Sequence, residues 1–412
     1  MSLRIEQVRA HDMRFPLAPG EGSDAVHRDP VYSYAAAELT TNGADRGVGL
    51  AFTLGGGNDL VCRAVKLLGS ALVGEEIETL MRNFGEMSRR LADHPQLRWL
   101  GPHKGVVHLA LASLANACFD LWAKSRGEPL WRLLLSLTPD ELVSTLDMSY
   151  LEDALTREEA VEMLTGAEPS RPDRMEVLQQ GYPGYDTSIG WIGFSDSEIR
   201  ERAAEALERG FQAVKLKVGA GTEQDIRRAY LVREIAGEDR LVMLDANQAW
   251  TLPQAVEMCG ELAGMRPYWI EEPTHPDDVA AHRSLVEAIH PMRVAAGEHL
   301  PHRVAFKNFL QLGAFHFNQV DCVRVAGVGE FIAVSLMSKK FGVPVVPHVG
   351  DMGQIHQHLT LFNHIAVGHE RLFLEHIPHL RDHFERPAQI VGGVYLTPEA
   401  PGSSSDLKAM PR

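Results

Sequence analysis

Seven polar or ionisable residues recur along the second half of the chain: Lys217, Asp245, Glu271, Glu298, Asp321, His348 and Glu375. The intervals are 28, 26, 27, 23, 27 and 27 residues. Asp245, Glu271 and Glu298 would repel one another if brought together, and their pKa values would rise. A divalent cation removes that cost. Oxygen-only donors select a hard ion, and three carboxylates leave room for water and substrate oxygens, as magnesium prefers. The local sequences LDANQ, IEEPT and AAGEH offer no arginine to neutralise the acids instead.

Lys215 and Lys217 stand at i and i+2, so a strand would point both to one face. Facing inward, each is expected to lower the pKa of the other, with the metal adding to the effect. A lysine tuned toward neutral pH is a general base. Asp321 and His348 form the second pair: an Asp that accepts the imidazole N–H fixes its tautomer and raises its basicity. His356, His358, His364, His376 and His379 compete for that role. His348 stands out because it follows Val343-Pro344-Val345-Val346-Pro347, a buried-strand pattern. Glu375 follows Leu372-Phe373-Leu374 and could donate to a developing enediolate. The chemistry implied is proton abstraction next to a carboxylate. A metal would spread the enediolate charge, Lys217 would take the proton, and His348 would serve the opposite face.

Such residues need elements that bring them to one place. Ser195-Asp196-Ser197-Glu198 is a capping box before a helical stretch that stops at Gly210. Ala213–Val218, Leu241–Leu244 and Tyr268–Ile270 read as strands, with helices opening at Thr222 and Thr251. Alternating strands and helices imply a parallel sheet. The reactive residues recur once per strand–helix unit, at the same strand end. Seven such ends converge only in a closed barrel, whose carboxyl-terminal mouth is where barrel enzymes do chemistry. The first 140 residues differ. Tyr34–Thr40 leads to a hairpin signal at Asn42-Gly43, residues 59–137 are helical, and Thr138-Pro139-Asp140-Glu141 is another capping box. Residues 1–140 are therefore expected to form a separate α+β domain. Residues 150–190, polar and rich in Pro and Gly, read as an insertion or long loop.

The length of 412 residues fits a barrel plus a smaller domain. With 45% apolar and 23% charged residues, the composition is that of a globular protein. The net charge of −15 argues against nucleic acid and anionic membranes as partners. It also repels anionic substrates, so an anion site needs local cations or a metal. Cysteines at 62, 118, 259 and 322 form no C-x-x-C pair, which argues against a thiolate zinc site. The opening MSLRIEQVRAHDMRF lacks an apolar signal-peptide core, and no run of about 18 apolar residues is seen. A cytoplasmic protein with no membrane span is expected.

The set Lys-x-Lys, Asp245, Glu271, Glu298, Asp321 and His348 resembles the mandelate racemase subgroup of the enolase superfamily. Most of the chain, from about residue 4 to about residue 405, is similar to the L-fuconate dehydratase family. The segments GSDAVHRDP (22–30), QLRWLGPHKGV (96–106), GYPGYDTSIGWIGFSD (181–196), KLKVGA (215–220), LDANQAW (244–250) and WIEEPTHPDD (269–278) carry the likeness. It implies an enolase-type (β/α)7β barrel of the α/β class over residues 141–385, with an N-terminal α+β capping domain and a segment 386–412 that returns to it. It also implies Mg2+, a small-molecule sugar acid as partner, a homo-oligomer, and loss of water to give a 2-keto-3-deoxy acid. By resemblance Lys217 is the base, His348 with Asp321 the general acid, and Glu375 a contact to the enediolate.

Three departures from that family bear on specificity. The stretch Val349–His356 is about two residues shorter, Gly56 replaces an Arg in the capping loop, and Ala326 and Gly329 replace Gly and Asn. Asp351 and His356 are expected to meet sugar hydroxyls, and Gly56 to leave room. Two alternatives stay open: a racemase or epimerase using the same two bases, and a non-catalytic protein on this scaffold. A cycloisomerase would carry a second Lys near residue 323, where Val323 and Arg324 stand.

Overall fold

The computed structural model describes residues 2–101 and 103–410. Met1, Pro102 of the QLRWLGPHKGV segment, and residues 411–412 of the expected C-terminal segment lie outside the described residues. Strands β1 (Ile5–Pro16), β2 (Val31–Thr41) and β3 (Arg46–Thr53) form an antiparallel sheet, joined at β2 and β3 by the expected hairpin. β2 and the middle of β3 are almost entirely buried, because both faces are covered. The helix Gly105–Ser125 lies across β3 so closely that a Cβ on Gly49 would come within 2.0 Å of the Ser113 carbonyl oxygen. Only glycine permits that approach. This helix is long and apolar enough to cross a membrane, but nearly all of it is buried as the core helix of this domain. Its apolar surface is spent on the protein interior.

The second sheet is parallel and closes on itself. Its strands are β4 (Tyr182–Asp186), β5 (Ala213–Lys217), β6 (Leu241–Asp245), β7 (Ile270–Glu271), β8 (Val294–Ala296) and β9 (Phe317–Asn318). Val345 continues the ring through a single bridge to Asn318, and β10 (Leu374–His376) pairs with β4 to close it. The helices Asp196–Glu208, Thr222–Ala236, Leu252–Leu262, Val279–Ala288, Arg303–Leu312, Gly327–Lys340 and Gln354–Phe362 alternate with these strands. Tyr185, Ala213, Met243, Trp269, Ala295, Phe317 and Val346 give one buried layer inside the ring. This is the packed interior of a barrel. The capping boxes at Ser195, Thr138 and Thr251 all form.

Two readings of the sequence are corrected. Residues 150–190 are not a long loop: they contain the helix Arg157–Ala167, opened by a capping box between Thr156 and Glu159, and β4, the first barrel strand. Pro183 and Gly184 disguised β4. Gly184 is tightly enclosed there: a Cβ would meet the Phe211 ring at 3.0 Å and the Gly393 carbonyl at 3.2 Å. Residues 343–347 make a bridge rather than a strand, because Pro344 and Pro347 have no N–H to donate to a ladder. Toward the C-terminus, Val394–Tyr395 pairs with β4, and Ser403 and Asp406 reach Asp120 and Lys124 on the core helix.

Candidate active site

Parallel register sets the first half of the site. Lys217 lies opposite Asp245 across β5 and β6, and Asp245 lies opposite Glu271 across β6 and β7. Neighbouring strands stand about 4.8 Å apart, so their side chains at the mouth must meet. Lys217 Nζ is 2.5 Å from Asp245 Oδ2. Lys215 Nζ, fully buried, is 2.6 Å from Glu271 Oε1, 2.7 Å from Glu375 Oε1 and 3.4 Å from Asp245 Oδ2. Glu298 joins them from the loop after β8. One carboxylate oxygen from each of Asp245, Glu271 and Glu298 lies within 4.8 Å of the others.

His348 forms the other half. Its Nδ1 is 2.7 Å from Asp321 Oδ2 and its Nε2 is 3.2 Å from Glu298 Oε2. Asp321 has a second histidine: His356 Nε2 lies 2.9 Å from its Oδ1. The Val349 N–H donates to Glu375 Oε2 at 3.0 Å, which fixes the carboxylate between Lys215 and the His348 loop. All eight residues expected to do chemistry thus meet at one end of the barrel.

The electrostatics differ from the expectation for the lysines. Burial works against their charge, but the facing carboxylates outweigh both burial and the Lys215–Lys217 repulsion. Both pKa values are raised, with Asp245 the main partner of Lys217 and Glu271 that of Lys215. Mutual depression between lysines is present at Lys217 and loses to an acid at 2.5 Å. Burial and the neighbouring Asp245 push Glu271 up to about 8. His348, despite burial, is raised to about 9 by Glu298 and Asp321. Asp321 is held well below the usual carboxylate range by His356 and His348 against the effect of burial.

The acid cluster fits a hard cation on its own chemistry. Its donors are all oxygens, and Glu298 Oε2 is buried without a hydrogen bond, close to His348 but not aligned with it. A buried carboxylate oxygen lacking a donor is costly, and a cation would satisfy it.

Several residues escaped the sequence reading. His299 Nδ1 sits 3.0 Å from Glu272 Oε2 and 3.1 Å from Glu298 Oε1, with the Gln248 amide 2.7 Å away. This bracket steadies Glu298, and the adjacency of Glu298 and His299 was its only sequence signal. The Trp191 ring lies under Lys217, with the ammonium 5.5 Å from its centroid. His356 and Asp351 do not face the cavity as expected. His356 is fully buried behind Asp321, and Asp351 accepts the Tyr34 hydroxyl at 2.5 Å and the Gly353 N–H at 2.6 Å. The shortened loop ties the barrel to the capping sheet. Gly56 is exposed, with open space where a side chain would stand. Over Lys217 and His348 lies a narrow cavity of about 50 Å³, roofed by Tyr32, Phe52 and Leu54 of the capping domain. A roomier cavity of about 640 Å³ near Leu178 and Arg386 contains none of these groups. Chemistry, not volume, identifies the site.

Residues 198–410 match the family described as enolase C-terminal domain-like. The chain is 43% identical to mitochondrial enolase superfamily member 1 of Xenopus laevis, over 98% of this chain and 93% of that protein. The solved structure of the human protein superposes with a TM-score of 0.96 at 40% identity, covering 99% of this chain and 95% of the other. L-galactonate dehydratase of Hypocrea jecorina is 41% identical over 98% of this chain and 92% of its own length. L-talarate/galactarate dehydratase of Salmonella typhimurium, solved with Mg and L-lyxarohydroxamate, shares the fold with a TM-score of 0.80 at 23% identity, covering 99% and 92% of the two chains. With its barrel, its capping sheet and these relatives, the chain belongs to the enolase superfamily.

Proposed function

We propose that the chain is a magnesium-dependent sugar acid dehydratase, a hydro-lyase that converts an aldonate of the L-fuconate or L-galactonate kind into a 2-keto-3-deoxy acid. One observation carries the reading. Lys217, at the end of β5, and His348, in the segment after the Val345 bridge, approach the same carboxylate cluster, Lys217 at Asp245 and His348 at Glu298. A base and an acid on opposite sides of one carbon chain are what removal of a C2 proton and a C3 hydroxyl needs. The relatives named as dehydratases support the same reaction class.

Asp245, Glu271 and Glu298 would hold the ion, steadied by the His299–Gln248 bracket. When bound, magnesium supplies positive charge that offsets the substrate carboxylate and the enediolate derived from it. With a cation holding Asp245, Lys217 would lose the partner that keeps it protonated, and Nζ, having given its extra proton to solvent, takes the C2 proton. Trp191 beneath it and the roof of Tyr32, Phe52 and Leu54 exclude water. His348 Nε2, with Asp321 on its other nitrogen, gives a proton to the departing C3 hydroxyl, which leaves as water. The enol that remains tautomerises to the 2-keto acid. Lys215 and Glu375, paired at 2.7 Å, stand beside the carboxylate end, where Lys215 offsets charge and Glu375 meets the enediolate.

We take the domains to divide near residues 140 and 385, with the last segment returning to the cap. We take the compartment to be the cytoplasm, in keeping with four free, buried cysteines. The test is incubation with a panel of aldonates and aldarates, with and without magnesium, following 2-keto acid formation. Turnover of at least one aldonate, lost on chelation and restored by magnesium, is expected. Full turnover by metal-stripped enzyme, or α-proton exchange without any loss of water, would overturn the reading.

A further inference from the structure

The turn after Lys217 has little stiffness of its own. Gly219 and Gly221 both hold positive φ, at 103° and 150°, with only Ala220 between them. What fixes the turn is the helix that follows it, Thr222–Ala236. Asp225 Oδ2 accepts the Gly219 and Gly221 N–H groups at 2.8 and 3.3 Å, and Oδ1 accepts that of Ala220 at 3.2 Å.

Three residues along the same helix face stands Arg228. Its Nη1 donates to the carbonyls of Ile192 and Phe194, each at 3.1 Å. Its Nη2 donates to those of Trp191 at 2.9 Å, Gly190 at 3.1 Å and Lys217 itself at 3.4 Å. The Lys217 N–H shares the Gly190 carbonyl, at 3.2 Å. Asp225 and Arg228 are both fully buried, yet each directs its charge at the main chain rather than at the other. Buried charge without a facing opposite charge is costly, and Arg228 Nε is buried with no hydrogen bond. An apolar side chain would fill the same space without that cost. It could not hold the carbonyls of Lys217 and of the loop 190–194 at once.

What is held in this way is the base and its floor. The main chain is fixed at the N–H and carbonyl of Lys217 and through the turn after it, and the Trp191 ring lies 5.5 Å from Lys217 Nζ. Misplacing a reacting group by about 1 Å costs about 100-fold in rate. We propose that Arg228 and Asp225 are positioning residues for the base: together they set where Lys217 Nζ meets the C2 hydrogen, and Arg228 does so also through Trp191. The inference rests on the dehydratase reading, which makes Lys217 the base.

The test is a single turnover, with magnesium-loaded enzyme in saturating excess over an aldonate that the wild type dehydrates. The rate constant then reads the chemistry of correctly folded molecules, and an inactive fraction leaves it unchanged. Arg228→Met is expected to lower it about 10–100-fold, and substrate deuterated at C2 should be slower still by a primary isotope effect. Magnesium affinity, read by calorimetry, should match the wild type. Arg228→Lys, which keeps the charge but not the planar fork, should lose less, and Asp225→Asn, which keeps one acceptor oxygen, less again. Those two carry the test if Arg228→Met does not fold. An unchanged rate constant, a slowed step without an isotope effect, or a parallel loss of magnesium affinity would overturn this inference alone. Failure of the wild type to dehydrate any acid would overturn the dehydratase reading and this inference with it.

Discussion

Two clusters of buried charge sit in this molecule, and they are built differently. One lies between the capping domain and the barrel. Glu330 there is approached by His108 Nε2 at 2.6 Å and accepts the Ala326 N–H at 2.7 Å, the Arg303 N–H at 3.1 Å and the Arg303 guanidinium at 3.0 Å. The guanidinium also holds Asp147 at 2.7 Å and the Ser149 carbonyl at 3.0 Å. The other is the mouth cluster, where three acids crowd two lysines and Glu298 keeps an oxygen without a hydrogen bond. Both carboxylate oxygens of Glu330 are met, and the atom left over is His108 Nδ1, on the side of the ring away from the acid; such a network holds domains together. One left short of donors, in the same protein, marks the place where something else is meant to bind. The difference between the clusters locates the function better than burial does, since both are buried.

Substitutions should separate the two. The largest effect is expected at the mouth: Lys217→Ala should lower kcat by about 10²–10⁴-fold or more and abolish exchange of the C2 proton with solvent deuterium, with little change in melting temperature. Glu271→Gln should also abolish turnover, yet leave the chelated protein as stable or more stable above pH 8, because it removes a carboxylate whose charge the fold resists. If Lys217→Ala unfolds the protein, the mouth cluster is structural after all.

Next comes the interdomain cluster. Arg303→Leu leaves Glu330 and Asp147 buried without their cation, and should cost about 3–5 kcal/mol in denaturant unfolding. A loss below about 1 kcal/mol would mean that solvent or rearrangement replaces the arginine. Magnesium should act on the other cluster only. At a hundred times its Kd it should stabilise the folded protein by about 2.7 kcal/mol, and that gain should disappear in Glu271→Gln and persist in Arg303→Leu.

The subtlest contrast is with pH. Glu271 and His348 have raised folded pKa values, about 8 and about 9. Their contribution in the metal-free protein is complete below their unfolded values near 4.3 and 6.5, and is lost as pH rises through 8 and 9. Glu330 is the reverse. His108 and Arg303 hold it well below its ordinary range despite burial, so its contribution is present above pH 4.3 and is lost as pH falls. His302, pushed down to about 4 by burial, adds to the acid side. Chelated wild type should therefore soften in base through the mouth and in acid through the domain junction, with Glu271→Gln flattening the basic arm alone. A basic arm unchanged in that variant would show that Glu271 does not titrate there.

Much of the mouth cluster was legible in the sequence, because a barrel repeats one spacing and delivers one strand end per unit. Lys217, Asp245 and Glu271 could be counted off as strand ends, and even Glu298, Asp321 and His348, two or three residues past any ladder, kept the interval. β4 was hidden because Tyr182-Pro183-Gly184 looks like a turn until Gly393 and Phe211 are seen against it. The helix after Thr156 carried its signal, a Thr followed three residues later by Glu, and was overlooked among prolines. His356 and Asp351 were assigned to the wrong partners because a loop sequence does not say which way a turn faces. The Glu330 cluster joins residues more than 200 positions apart, as in the His108–Glu330 contact, and no local pattern announces it.

The chain at residues 402–406 is also a fastening. Ser403 donates to Asp120 at 2.7 Å, Asp406 meets Lys124 at 2.8 Å, and the Leu130 N–H donates to the Gly402 carbonyl at 2.9 Å. Asp120 and Lys124 belong to a helix completed by residue 125. During synthesis, that helix leaves the ribosome nearly 280 residues before its partners exist. At roughly 5–20 residues per second the wait is on the order of half a minute. Until then, Asp120 has the Val48 N–H and Lys124 on its Oδ2, and its Oδ1 waits for the donors of Ser403. The order of synthesis thus makes residues 402–406 a late stitch on a helix that is finished long before them.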